Sequence, residues 1–306
     1  MEYIAGDTDF QYKNTAVTLG KFDGLHRGHQ RLMDVVISYK QQGLTAVMFS
    51  FLMHPGNLFS DKEFELIYTE EEKVARLKHS GMDVLISYPF TEETRTMEPE
   101  EFIREILVEK LDAKVIAVGK DFHFGYRKKG DVNLLKAYAD TYGYQVIDCE
   151  KLTWAHEVIS SSAIRKALKE GDIEAANIML GRPYAIRGEV LHGRRIGRAI
   201  GIPTTNLLPS SSKLLPPCGV YVSKTLIDGI YHNGVTNIGY KPTVGAEENI
   251  GVETYLFDFD ENLYGRTIEV ELFYYIRPEL KFGSIEEMLI RMREDIIIAK
   301  DYLKSH

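Results

Sequence analysis

Two histidines three residues apart, His26 and His29, stand in the run Gly20-Lys21-Phe22-Asp23-Gly24-Leu25-His26-Arg27-Gly28-His29. A strand-like segment precedes this run and a helix-like one follows it. A helix N-terminus offers free backbone N–H groups and the positive end of its dipole, which suits phosphate. Two histidines aimed at one ligand there could neutralise charge developing on a phosphate. The plainer alternative is a loop with two surface histidines. A zinc pair fits less well, because no third ligand has clear spacing. A second anion site is suggested by Ile159-Ser160-Ser161-Ser162-Ala163-Ile164-Arg165, with hydroxyls at a helix start and an arginine one turn in; taken alone, it reads as a helix cap. The run Val118-Gly119-Lys120-Asp121-Phe122-His123-Phe124-Gly125 mixes aromatics with polar groups just after a strand. It could hold a flat ring, or be an ordinary loop.

The C-terminal half carries a different set. Gly188, Gly193 and Gly197 permit close backbone approach to a phosphate chain, although loop punctuation explains such a trio equally simply. No GxxxxGK[ST] run occurs, which excludes a Walker-type site. Pro203-Thr204-Thr205-Asn206 supplies a hydroxyl and an amide oxygen. These hard donors suit Mg²⁺ shared with phosphates, at Thr204 and Asn206; otherwise the segment is a polar turn. Glu253, Glu269 and Glu271 are the candidate general bases on strand-like segments. Side chains alternate faces along a strand. That puts Glu253 with Tyr255 and Phe257, and Glu269 and Glu271 with Phe273 and Tyr275, so alternation does not choose between them. Arg187, Arg194, Arg195 and Arg198 cluster in one segment, which reads as a phosphate-facing or solvated loop.

The elements that must position these residues fall into two patterns. The chain has 306 residues, enough for two domains. Its 37 Lys+Arg against 45 Asp+Glu give a formal charge of -8, unlike a general nucleic-acid or anionic-membrane binder. Cys149 and Cys218 form no CxxC pair and are expected as reduced thiols. The polar, acidic N-terminus and short apolar runs predict no signal peptide and no membrane span, hence a cytoplasmic protein. Up to Leu180 the pattern alternates strand and helix. Strands are expected at Ala16–Leu19, Leu44–Phe49, Val84–Tyr88, Lys114–Val118 and Gln145–Asp148. Helices are expected at His29–Gln42, after the Thr69/Glu72 capping box, at Glu100–Leu111 and at Asn133–Tyr142. This order argues a parallel sheet covered on both faces, with ligands beyond the carboxyl ends of its strands. Short helices Ser162–Lys169 and Ile173–Leu180 lead to a boundary at Gly181-Arg182-Pro183. Beyond it, β-branched and aromatic segments at Tyr184–Val190, Val220–Leu226, Tyr231–Ile238, Val252–Phe257 and Thr267–Ile276 predict an antiparallel sheet or small barrel. Ser284 and Glu287 form another capping box. The helix it opens carries Ile285, Met288, Leu289, Met292, Ile296, Ala299 and Leu303 at helical spacing.

Taken together, GKFDGLHRGH, VGKDFHFG, VISSSAIRKAL and LGRPY resemble the adenylyltransferase half of the bacterial bifunctional riboflavin kinase/FMN adenylyltransferase family, over about residues 14–183. NIGYKPTVG, the segment around Glu253 and DFDENLYG resemble its riboflavin kinase module, from about 184 to 306. The resemblance implies two domains. Residues 1–183 would form an α/β, Rossmann-like nucleotidyltransferase domain. Residues 184–306 would form a small six-stranded antiparallel β-barrel with a terminal α-helix. It implies two activities: phosphorylation of riboflavin to FMN with release of ADP, and joining of FMN and ATP into FAD and pyrophosphate. It also implies residue roles. His26, His29 and Arg165 would act on the triphosphate. Gly20, Phe22, Asp23, Gly24, Gly28, Ser161, Ser162, Gly188, Gly193 and Gly197 would bind ATP. Asp121, Phe124 and Arg277 would lie at the flavin. Glu253 would be the kinase base, and Mg²⁺ would be held by Thr204 and Asn206. Ser162 stands where the family usually has threonine, Thr205 where it has alanine, and Met53 where proline usually precedes the His-Pro pair. Two other classes remain open: an adenylylating enzyme whose barrel is an accessory binding module, and a non-catalytic flavin- or nucleic-acid-binding regulator using the arginine cluster. The partners implied are small molecules, with neither nucleic acid nor membrane; the sequence assigns no oligomeric state.

Overall fold

The computed structural model describes residues 1–52, 65–191, 204–241 and 249–305. The chain divides into two compact units, Met1–Ser161 and Ser162–His306.

Six parallel strands make the first unit: β1 Glu2–Ala5, β2 Thr15–Leu19, β3 Thr45–Leu52, β4 Val84–Pro89, β5 Ala113–Gly119 and β6 Gln145–Cys149. They lie in the order β1-β4-β3-β2-β5-β6. Every residue of β2 is buried, as expected for a central parallel strand covered on both faces. Strand alternation splits the apolar residues into two cores. Val17, Phe49 and Ile86 pack on one face with Ile103 and Leu107; Ala16, Met48 and Leu85 pack on the other with Met33, Val36 and Leu77.

Helix α1, Arg27–Ser38, continues as a tighter turn, Tyr39–Gln42, and stops at Gly43, whose φ of 81° needs glycine. Helix α2, Glu70–Leu77, has the expected capping box in full: the Glu72 N–H donates to Thr69 Oγ1, and the Thr69 N–H to Glu72 Oε2. The helix expected over 100–111 starts at Pro99 but is π-helical from Phe102 to Lys110, and the Leu111 N–H reaches back five residues to the Ile106 carbonyl. Helix α3, Val132–Tyr142, is capped by Asp131. From β2 the chain steps through β3 and β4 to one side, then returns as β5 on the other. That reversal opens a crevice at the carboxyl ends of β2 and β5.

The second unit holds most of α4, Ser161–Glu170, and α5, Ile173–Leu180. Six antiparallel strands follow: β7 Tyr184–Glu189, β8 Thr204–Leu207, β9 Gly219–Ile227, β10 Ile230–Lys241, β11 Asn249–Leu256 and β12 Thr267–Pro278. Their order is β7-β12-β9-β10-β11-β8. The sheet curls into a barrel until its outer strands touch: Val190 bridges Leu207, and the Leu191 N–H donates to the Asn206 carbonyl at 2.8 Å. Inside the curl the hydroxyls of Ser223, Thr236 and Thr254 bond one another at 2.8 Å, so these buried polar groups are satisfied. Outside it, Val222, Val235, Tyr255 and Phe257 pack against Ile296, Ala299 and Leu303 of the terminal helix α6, Ile285–Ser305.

Four details depart from expectation. Asn177 of α5 donates to the Leu272 carbonyl and accepts the Tyr184 N–H. The pattern change at Gly181-Arg182-Pro183 thus marks where strands begin, while the compact units divide at Ser161/Ser162. Thr204–Leu207 is a strand rather than a turn. In the α6 cap, Ser284 accepts the Glu287 N–H as expected, but the Glu287 carboxylate takes the N–H of Gly283. Finally, β12 does not keep one face. Register shifts against β9 pair Leu272 with Ser223 but Tyr274 with Val222, so Phe273 is an extra residue, as in a β-bulge. Tyr275 then pairs with Tyr221, their rings 5.1 Å apart. It does not share a face with Glu269 and Glu271.

Candidate active sites

The loop after β2 is held by its own side chains. Asp23 Oδ1 accepts the N–H groups of Ile67 and Tyr68, and the Asp23 carbonyl accepts the Ser161 hydroxyl at 2.8 Å. Phe22 and Leu25, both at positive φ, are fully buried. Gly24 has φ +86°, and a Cβ there would lie 3.1 Å from Ile67. A Cβ on Gly20 would lie 3.2 Å from the Phe22 ring. Of the loop residues expected at ATP, Phe22 and Asp23 help to hold the loop, Gly20 leaves room for Phe22 and Gly24 leaves room for Ile67.

His26 is the N-cap of α1, its Nδ1 accepting the His29 N–H at 3.3 Å. Its other ring nitrogen therefore carries the proton in the neutral form. The two imidazoles stack with centroids 3.6 Å apart and an 18° tilt, and Phe22 meets His29 edge-on. Gly28 makes the stack possible, because a Cβ there would sit 3.1 Å from the His26 ring. Burial pushes His26 down to about 4. Burial first, then the neighbouring His26 and Lys73, hold His29 well below the ordinary imidazole range. Both rings are neutral hydrogen-bonding groups at neutral pH. His29 Nδ1 is buried and has no hydrogen-bond partner among the described residues. In α4, Ser162 is exposed and Arg165 half-buried.

Past β5, Asp121 is exposed, and its ion pair with Lys151 at 2.8 Å holds it below the usual carboxylate range. Phe124 is buried in the core, 5.5 Å from the Phe102 ring and stacked on half-buried Phe122.

In the second unit, directly opposed strand residues build a polar row. Asn206 faces Glu253, Glu253 faces Asn237, Asn237 faces Val220, and Val220 faces Arg277. One step along, Thr204 faces Tyr255 and Tyr255 faces Val235. Opposed residues share a face of the sheet. Thr204, Asn206, Glu253 and Arg277, separated by up to 73 positions in sequence, thus come to one surface. The surface forms one wall of a cavity of about 310 Å³, lined on its polar side by Thr204, Asn237, Glu253, Arg277, Glu279 and Asp295. Leu280, Phe282, Met288, Met292 and Ile296 make its apolar side. Glu269 and Glu271 are buried on β12 outside the cavity, where Tyr231 bonds Glu271.

The middle residue Thr205 points the other way, its hydroxyl reaching the Thr254 carbonyl. No group of three or more His, Cys, Asp or Glu side chains gathers around a point among the described residues. The Thr204 hydroxyl, the Asn206 amide oxygen and the Glu253 carboxylate, on one face, are nonetheless a hard-oxygen set of the kind Mg²⁺ takes together with phosphate. Gly188 packs against Leu207, whose Cβ a side chain at 188 would meet at 3.7 Å. Gly193, Gly197 and Met53 lie outside the described residues.

Sequence reasoning missed three lining residues. Asn237 lay within a quoted motif but received no role; its amide donates to Glu279 Oε1 at 3.4 Å. Glu279 crosses the sheet over Gly239, where a Cβ would collide with the carboxylate. Asp295 is 2% exposed and grips Arg277 with both carboxylate oxygens, at 2.7–3.1 Å. Its signal was visible: a lone carboxylate on the apolar stripe running through Met288, Met292 and Ala299.

Residues 9–163 match the FAD synthetase family and residues 180–303 the riboflavin kinase family. A bifunctional riboflavin kinase/FMN adenylyltransferase of Bacillus subtilis is 38% identical, covering 92% of this chain and 90% of its own length. Its Escherichia coli K12 counterpart is 34% identical, covering 94% and 92%. The structure also superposes, with TM-score 0.86 and 29% identity, on a crystal structure described as a macrolide-efflux protein from Streptococcus pneumoniae, over 97% of this chain and 98% of that one. No helix among the described residues is long and apolar enough to cross a membrane. On these matches to both halves and across the whole length, the chain belongs to the bifunctional riboflavin kinase/FMN adenylyltransferase family.

Proposed function

We propose that the chain makes FAD in two steps, as a cytoplasmic enzyme acting on riboflavin and FMN with ATP as co-substrate. Module 184–306 phosphorylates riboflavin and releases ADP. Module 1–183 adenylylates FMN and releases pyrophosphate. The observation that carries the reading is the row Asn206–Glu253–Asn237 beside Thr204, along a cavity whose opposite side is apolar.

In the kinase step the flavin ring lies against the apolar side and its 5′-hydroxyl turns to Glu253. Glu253 accepts the hydroxyl proton as the oxygen attacks the γ-phosphorus and ADP leaves. Such a base contributes ~10²–10⁴-fold; the rest is positioning and charge neutralisation. Thr204 and Asn206 would hold Mg²⁺, which when bound screens the phosphate charge. Gly188 brings backbone close to the nucleotide, and Gly193 and Gly197 belong to the same proposed nucleotide-binding set.

In the adenylyl step an FMN phosphate oxygen attacks the α-phosphorus of ATP and pyrophosphate leaves. The nucleophile is already anionic, so no base is needed. His26 and His29 donate hydrogen bonds to the triphosphate and gain charge as it docks, and Arg165 and the Ser161 and Ser162 hydroxyls assist. Asp121 and Phe124 stand on the flavin side. The test is incubation with riboflavin, ATP and Mg²⁺ and separation of FMN, FAD, ADP and pyrophosphate. All four products are expected. Failure to form FMN and ADP from riboflavin, with FAD and pyrophosphate still formed when FMN is supplied, would leave the barrel an accessory binding module.

A further inference from the structure

The terminal helix contributes one strongly polar group to the cavity wall, Asp295, and its position is unusual. It is among the most buried side chains of α6, at 2% exposure, on a stripe otherwise filled by Met288, Met292, Ile296 and Ala299. A buried carboxylate is costly unless paired and hydrogen-bonded. Asp295 takes the Arg277 Nε–H with both oxygens, at 3.0 and 3.1 Å, and the Arg277 Nη2 at 2.7 Å. Arg291 Nε lies 3.7 Å from it on the helix itself. Arg277, 9% exposed, also gives an Nη1 hydrogen to the Pro278 carbonyl at 2.9 Å. A guanidinium has five N–H groups in a fixed plane. Three are committed to Asp295 and Pro278, which leaves two on a plane that cannot rotate.

A buried ion pair of this kind is weak support for stability as such, since an apolar pair of similar volume often serves as well or better. Its value lies in fixed direction. Arg277 lines the same cavity as Glu253, at the far end of the row that starts at Asn206.

We infer that Asp295 is a positioning residue for the kinase substrate: it locks the Arg277 guanidinium so that its two remaining N–H groups read a carbonyl oxygen and the unprotonated ring nitrogen beside it on the polar edge of the flavin ring. This rests on the kinase reading given above. Each carbonyl oxygen of the riboflavin ring lies beside an unprotonated ring nitrogen, and a planar, pre-aimed donor pair matches two adjacent acceptors better than a free ammonium. The terminal helix is then part of substrate selection as well as packing.

The test separates aiming from packing. In the full chain, Asp295→Leu, Arg277→Met and the double variant are compared by melting temperature and by KM for riboflavin and for ATP. Each single change leaves a buried charge unpaired and should lower stability. The double change removes both charges, so it should regain most of the melting temperature. Its KM for riboflavin should stay about tenfold or more above wild type, the scale of a hydrogen bond to a charged group. KM for ATP and FAD formation from added FMN should be unchanged. A double variant with wild-type KM for riboflavin overturns the inference and leaves the pair a packing device. Should the apolar variants not fold, Asp295→Asn keeps the shape and loosens the grip. A several-fold rise in riboflavin KM at constant ATP KM is expected, and an unchanged riboflavin KM overturns the inference. Absence of FMN formation in the wild-type protein would instead refute the kinase reading itself.

Discussion

The reactive pair of the first unit, His26 and His29, is stacked and neutral at the carboxyl end of a strand buried on both faces. The polar groups of the second unit lie on the outer face of a curled antiparallel sheet, and one of them, Arg277, forms a buried ion pair with Asp295 of α6. The first site presents two hydrogen-bonding rings that burial keeps neutral. The second has part of its charge pre-arranged and opposed before any ligand arrives. Parallel strands with helices on both faces leave only their ends for chemistry, so it falls to the loops beyond those ends. An antiparallel sheet with one face under a single helix offers rows of side chains, so function spreads over five strands.

The sharpest way to break this comparison is Glu253→Gln, which keeps size and removes the basic oxygen. FMN formation should fall ~10²-fold or more, with FAD formation from added FMN unaffected; Glu271→Gln should do little, since Glu271 lies outside the cavity. Product chromatography reads both. If the ranking of the two variants reversed, the base would be Glu271. Next is His29→Ala, which should cut FAD formation by about 10²–10³-fold while riboflavin phosphorylation continues. A parallel loss of FMN in a folded variant would mean that the halves do not work separately. A smaller effect is expected for Gly28→Ala, whose methyl group would press on the His26 ring at 3.1 Å. Adenylyl transfer should drop about tenfold through misplacement of one hydrogen-bonding group, with kinase activity unchanged.

The neutral histidines also predict a pH response. The unfolded chain binds protons on these groups near 6.5, whereas folded His26 does so only near about 4. Between those values the unfolded state carries the extra protons, so stability is full above 6.5 and is lost as pH falls toward 4. Melting curves should show this loss for the first unit, and His26→Gln should flatten part of it. The smallest expected effect concerns the boundary. A fragment from Tyr184 lacks both Asn177 hydrogen bonds and should be less stable than one from Ser162 by roughly 1–3 kcal/mol. Equal melting temperatures would show that α5 contributes nothing to the barrel.

Long, strongly patterned elements were readable from sequence because their signals are local. Thr69 and Glu72 announce α2, Gly43 ends the turn after α1, and the apolar runs of β3 and β5 need both faces covered. What escaped depends on partners distant in sequence. Strand β1 is a short, mostly exposed edge strand without alternation. Phe102, Ile103, Ile106 and Leu107 fit ordinary helical spacing, and nothing in it reveals a π-helical ladder. The extra residue at Phe273 flips the face of Tyr275 and defeats the alternation argument for β12. At the sites, residue type and family pattern single out His26, His29, Thr204 and Glu253; the structure stacks the first pair and puts the second pair on one face of the barrel sheet. The work of Gly28 as clearance for a ring, and of Asp295 as a grip on Arg277, is visible only when the chain is folded.

The bridge between Val190 and Leu207 has an effect on chemistry as well as on closure. Strand β8 is four residues long, and a slip of one residue in such a strand turns every side chain to the opposite face. Thr205 would then look into the cavity, and Thr204 and Asn206 would look into the barrel wall. The clasp at Val190 and the Leu191 N–H therefore acts as a reading frame: together with the pairing to β11, it fixes which alternate letters of Thr204-Thr205-Asn206 are presented on the outer face of the sheet.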